Sequence, residues 1–111
     1  MTKTLNLGLI GAGRIGQVHA ATIAHRVPQA KLLHIADVNA QAASDCAQVN
    51  GVPCASSDPA DIINHPDIDA VLICSSTDTH AMLIEQAANA GKHIFCEKPI
   101  ALTLDAIDRA L

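Results

Sequence analysis

The chain has 111 residues, a net charge of −4, and a composition that is 50% hydrophobic but only 1% aromatic. That length allows one domain with a core of Ala, Val, Leu and Ile, as suits helices packed closely on a parallel sheet. The seven basic residues are scattered singly from Lys3 to Arg109, which argues against a nucleic-acid or anionic-membrane partner.

Apolar runs alternate with longer helical patterns, the mark of repeated βαβ units. Leu5 to Ile10 reads as a strand buried on both faces. Ile15, Val18, Thr22 and Ile23 recur at helical spacing and predict a helix from about Arg14 to Arg26. Lys31 to Val38 is the second strand, and Asn39 is placed to cap a helix over Ala40 to Val49 that Gly51 ends. A brief strand is expected at Val52 to Ala55. Asp58-Pro59 then reads as the cap and first residue of a short helix. Ala70 to Ser75 is a central strand. A helix from about Asp78 to Ala90 turns Leu83, Ile84, Ala87 and Ala88 inward and stops at Gly91. His93 to Cys96 is the fifth strand, and Thr103 caps a last helical pattern. The expected class is α/β, a Rossmann-type doubly wound parallel sheet.

The cysteines at 46, 54, 74 and 96 form no redox or zinc spacing. Free thiols in a reduced cytosol are the expectation, with Cys74 and Cys96 as small buried hydrophobes. The histidines at 19, 25, 34, 65 and 93 show no metal-ligand spacing either. No signal peptide or 18-residue apolar stretch is present, so a cytoplasmic location is expected. The sequence stops within an apolar stripe of Leu104, Ile107 and Leu111, which reads as a chain cut short. The alternative is a terminal helix docked on the sheet.

Three stretches carry chemistry. Gly11-Ala-Gly13-Arg14-Ile15-Gly16 follows the first strand. Gly11 permits the turn, Gly13 admits a pyrophosphate to the backbone, and Gly16 lets the helix lie close. The helix N-terminus offers free N–H groups to phosphates. Such loops also serve flavin or S-adenosylmethionine. Asp37, about 20 residues on, can accept hydrogen bonds from adenosine ribose hydroxyls and repel the extra phosphate of NADP, which favours NAD. Ser75 to His80 leaves the fourth strand beside the first, where ligands collect; capping alone would also explain Thr77 or Asp78. Glu97-Lys98-Pro99 sets a lysine at the end of the fifth strand, on the same rim. Next to oxidised nicotinamide an ammonium is pushed toward neutrality, fit to take a hydroxyl proton.

Gly8 to Gly16, Ser76 to His80 and Glu97-Lys98-Pro99-Ile100 resemble the Gfo/Idh/MocA oxidoreductase family over the length of the chain. Residues 13 to 19 look most like its inositol 2-dehydrogenase branch. The resemblance implies an NAD-dependent dehydrogenase acting on a sugar or polyol CH–OH. It places Gly11, Gly13, Arg14 and Ile15 at the pyrophosphate and Asp37 at the adenosine ribose. Ser75, Thr77, His80 and Glu97 lie along the nicotinamide, with Lys98 catalytic at the substrate. Family members are typically about three times longer. Their C-terminal α/β domain supplies an aspartate and a histidine to the active site and forms the oligomer interface. Residues 1–111 are therefore expected to be the dinucleotide-binding domain alone, inactive by itself and without the surface that makes a homo-oligomer. A dinucleotide-sensing regulator without turnover is the rival within the family, although the lysine argues against it.

Overall fold

A computed structural model describes residues 4–74 and 80–96. Five parallel strands form one sheet in the order β3-β2-β1-β4-β5: β1 Leu5–Ile10, β2 Ala30–Ala36, β3 Cys54–Ser56, β4 Ala70–Ile73 and β5 His93–Cys96. The order reverses between β1 and β4, as a doubly wound sheet requires. Four helices connect the strands: α1 Arg14–Arg26, α2 Ala40–Asn50, α3 Ala60–Ile63 and α4 His80–Asn89.

The sheet separates two apolar layers. Leu7, Leu9, Ile35 and Leu72 pack against Ala20 and Ile23 of α1 and Ala43 and Cys46 of α2. Ile10, Val71 and Ile73 pack against Ile62 and Ile63 of α3 and Leu83 and Ala87 of α4. Leu7, Leu9, Ile35 and Val71 are wholly buried, and each such side chain contributes about 1.5–3 kcal/mol. The continuous apolar reading of β1 therefore holds on both faces.

Several boundaries differ from those expected. β2 ends at Ala36 rather than Val38, because the Asp37 carboxylate accepts from the Asn39 N–H at 2.8 Å and turns the chain. β3 begins at Cys54, not Val52. The Val52 N–H is taken by Ala47 O at 2.8 Å in the turn that closes α2, and Pro53 has no N–H for a ladder. β4 ends at Ile73. α3 starts at Ala60, one residue later than expected, with Pro59 at the cap position; Asp58 still serves this end, its Oδ1 accepting from Ala60 N at 2.9 Å. Asn39 caps α2 through Gln41 and Ala42, and Gly51 ends that helix in the left-handed conformation.

The apolar spacing that locates α1 does not mark its buried face. Gly16, Ala20 and Ile23 turn inward, while Ile15 and Val18 are 45% and 56% exposed. Close approach to the sheet selects the smallest residues for the contact. Among the α4 residues whose burial is described, 82–89, Leu83 and Ala87 are buried, and Ile84 and Ala88 face outward; one helix lying on one sheet face needs only that narrow stripe. Within β2, Leu7 pairs with Leu32 but Gly8 with His34, so Leu33 is an extra residue in the strand. The predicted helical pattern after Thr103 lies outside the described residues, as do Leu104, Ile107 and Leu111.

Candidate dinucleotide site

The glycine loop joins β1 to α1 at the sheet's carboxyl edge. Gly11 has φ of 104°, which a side chain would strain, and its N–H donates to Ala36 O at 2.8 Å. A Cβ on Gly16 would meet the Gly11 carbonyl oxygen at 1.9 Å. Only glycine there lets α1 start directly against the loop. A Cβ on Gly13 would meet nothing within 4 Å, so that position opens toward a ligand.

Gly13 is the N-cap of α1 and provides no side-chain hydrogen bond, and the first turn carries no acidic residue. Arg14 and Ile15 are the first two helical residues and both are exposed. The helix thus presents its positive end to the rim with no acidic residue in its own first turn.

Asp37 stands just past β2 and faces the loop. Its Oδ2 accepts from the Ala12 N–H at 2.6 Å and its Oδ1 from Asn39 N at 2.8 Å. Its own N–H donates to Ser56 O at 3.1 Å. The carboxylate is therefore oriented by backbone on two sides, yet each oxygen keeps a further acceptor position.

Loop and carboxylate share an open cavity of about 410 Å³ over the ends of β1, β2 and β4, lined in part by Gly11, Gly13, Asp37, Val38, Pro59 and Met82. That volume is in the range of small-ligand sites. Val38, Pro59 and Met82 went unrecognised in the sequence. Val38 follows Asp37 directly, and that position was its one available signal. Val38 is 93% exposed and Met82 54% exposed, leaving an apolar wall that the described residues cover only in part. A larger opening of about 630 Å³ lies at the other end of the sheet, bordered by Val27, Pro28, Asn50 and Gly51. It contains neither the glycine loop nor Asp37.

The structure brings Gly11, Gly13, Arg14, Ile15 and Asp37 to one rim. His80 opens α4 beside it, with its side chain outside the described set. Ser75, Thr77, Glu97 and Lys98 lie outside the described residues. Cys74, following β4, is half-buried and lines the same cavity. Cys46 is buried and Cys54 exposed; burial pushes the Cys46 thiol up. Among the described residues, no helix is long and apolar enough to cross a membrane.

Residues 5–111 match the family description "Oxidoreductase family, NAD-binding Rossmann fold", that of Gfo/Idh/MocA. Myo-inositol 2-dehydrogenase of Thermotoga maritima is 42% identical over 107 residues, 96% of this chain and 32% of that protein. An uncharacterized oxidoreductase of Bacillus subtilis is 45% identical over 111 residues, covering 100% of this chain and 32% of its own length. The crystal structure of scyllo-inositol dehydrogenase from Lactobacillus casei with bound NAD(H) and scyllo-inositol superposes with a TM-score of 0.81. It is 41% identical, over 97% of this chain and 32% of that one. The chain thus spans about a third of the length of the relatives it matches. With the glycine cradle, the strand-end carboxylate and the reversed strand order all in place, the chain belongs to the Gfo/Idh/MocA oxidoreductase family as an NAD-binding Rossmann domain.

Proposed function

We propose that this domain serves an NAD-dependent dehydrogenase acting on a ring CH–OH of a sugar or polyol, with an inositol-like substrate favoured. The observation that carries the reading is the pairing of an open glycine cradle with a fixed carboxylate across one cavity. The cradle suits a pyrophosphate and the carboxylate suits a ribose diol. Identity of about 40% to inositol dehydrogenases supports the substrate class.

Backbone at Gly11, Gly13, Arg14 and Ile15 holds the pyrophosphate. Asp37 accepts from the adenosine ribose hydroxyls and repels a 2′-phosphate, which favours NAD over NADP. Val38 and Met82 offer an apolar face to the adenine. Ser75, Thr77, His80 and Glu97 flank the nicotinamide. NAD, when bound, supplies the hydride acceptor for oxidation of CH–OH to C=O. Lys98 takes the hydroxyl proton at Nζ, its neutral form favoured by the nearby positive charge.

We place residues 1–111 as one dinucleotide-binding domain, with turnover, substrate choice and self-association depending on a further part such as the longer relatives have. A cytoplasmic setting fits the free thiols at Cys46 and Cys54. Titration with NADH, followed by cofactor fluorescence, tests the cofactor reading, and NAD reduction across a panel of cyclic polyols tests the substrate class. Tighter binding of NADPH than of NADH overturns the first. Reduction of NAD by none of the panel, with the domain assayed together with that further part, overturns the second.

A further inference from the structure

The bond from Ala12 N–H to Asp37 Oδ2 is the shortest contact in the site, at 2.6 Å. It links residues 25 positions apart and ties the glycine loop to the end of β2 without passing through any ligand. The other carboxylate oxygen is held by Asn39 N at 2.8 Å, so the carboxylate cannot turn away from the loop without giving up a second bond. Ala12 itself is 1% exposed. Without Asp37 its N–H would lose this partner at a nearly buried position, a costly state.

We infer that Asp37 has a second task besides meeting the ribose: it is a positioning residue that holds the glycine loop in its phosphate-binding shape. This rests on the NAD reading of the site and extends it. The carboxylate's free acceptor positions serve the ribose while its bonded ones fix the loop. Affinity for the phosphate half of the cofactor therefore depends on a side chain placed at the adenosine half. Truncating Asp37 to alanine does not convert the domain to NADP, because the loop bond is lost along with the repulsion.

The test compares NADH, NADPH and reduced nicotinamide mononucleotide, which lacks the adenosine half and has nothing to offer the ribose site. In the intact protein, Asp37→Ala is expected to weaken the mononucleotide about tenfold or more, together with NADH, and to give no gain for NADPH. Amide hydrogen exchange supplies a readout independent of binding. The Ala12 amide is expected to be protected in the wild type and to exchange rapidly in Asp37→Ala, while the amides of β1 stay protected.

Unchanged mononucleotide affinity alongside weakened NADH overturns the inference, and so does a wild-type Ala12 amide that exchanges like an exposed one. Loss of protection in β1 as well marks a variant that has unfolded; the wild-type exchange rate of Ala12 then decides. Failure of the wild type to bind NADH would instead overturn the reading of the site, with the exchange data still judging the loop bond.

Discussion

The carbonyl oxygen of Gly11 stands where a Cβ on Gly16 would be, 1.9 Å from it. The atom in the way is backbone, so no side-chain rotation relieves the clash. Gly16→Ala is expected to cost about 1–3 kcal/mol or more in urea unfolding and to displace the start of α1. Gly13→Ala meets open space at a φ of −73°, and its stability should change by less than about 1 kcal/mol. Its NADH affinity should nevertheless fall about tenfold, since a methyl group would stand where the pyrophosphate is proposed to lie. Equal destabilisation by the two substitutions would contradict the packing described for α1.

Lys98 is the residue on which the proposed chemistry turns. Lys98→Met is expected to keep NADH affinity within about threefold while lowering kcat for polyol oxidation by about 10²–10⁴-fold, the usual range for losing a general base. Stopped-flow binding and steady-state rates separate the two effects. A large loss of cofactor affinity with kcat preserved would assign the lysine to binding instead.

His34, on β2, has Nε2 2.9 Å from Ser56 Oγ. Burial pushes its pKa below the ordinary 6.5, Asp61 opposes that shift and His65 adds to it. The folded protein thus favours the neutral ring, while the unfolded chain takes up the proton at the ordinary value. The stability tied to His34 is complete above about pH 6.5 and is lost as pH falls below it toward the lowered folded value. Between about pH 7 and pH 5 the Tm of the wild type should fall more steeply than that of His34→Gln, the two differences being compared in one buffer series. Parallel slopes would remove His34 from the account.

Asn39 caps α2 by accepting from Gln41 N at 3.1 Å and Ala42 N at 3.2 Å. Asn39→Ala removes both bonds and should cost about 1 kcal/mol in chemical denaturation. Its backbone N–H to Asp37 survives, so NADH affinity should stay within about twofold of the wild type.

What could be read in the sequence follows the range of the interactions. Strand apolarity, the Asn39 cap and the Gly51 stop are local and appear where expected, and the Asp58-Pro59 start is displaced by one residue. The neighbouring places of β1 and β4 follow from the doubly wound pattern. On the buried face of α1, Gly16 and Ile23 were legible from the loop pattern and the apolar spacing, whereas Ala20 was hidden because alanine carries little signal beside the exposed Ile15 and Val18. The apolar wall of Val38, Pro59 and Met82 gathers three separate segments, so no spacing announces it. The bond between Ala12 and Asp37 was hidden for the same reason.

The extra residue in β2 has a consequence for chain length. Leu32 and Ile35 face the α1 and α2 layer, while Leu33 and Ala36 face the other. His34, between Leu33 and Ile35, falls on the same side as Leu33, so removing either of the two would restore strict alternation and leave Ala36 opposite Ile10. Removing any other β2 residue would turn the following side chains through the sheet. The Leu33–His34 pair is thus where this strand can be shortened while Asp37 stays beside the glycine loop.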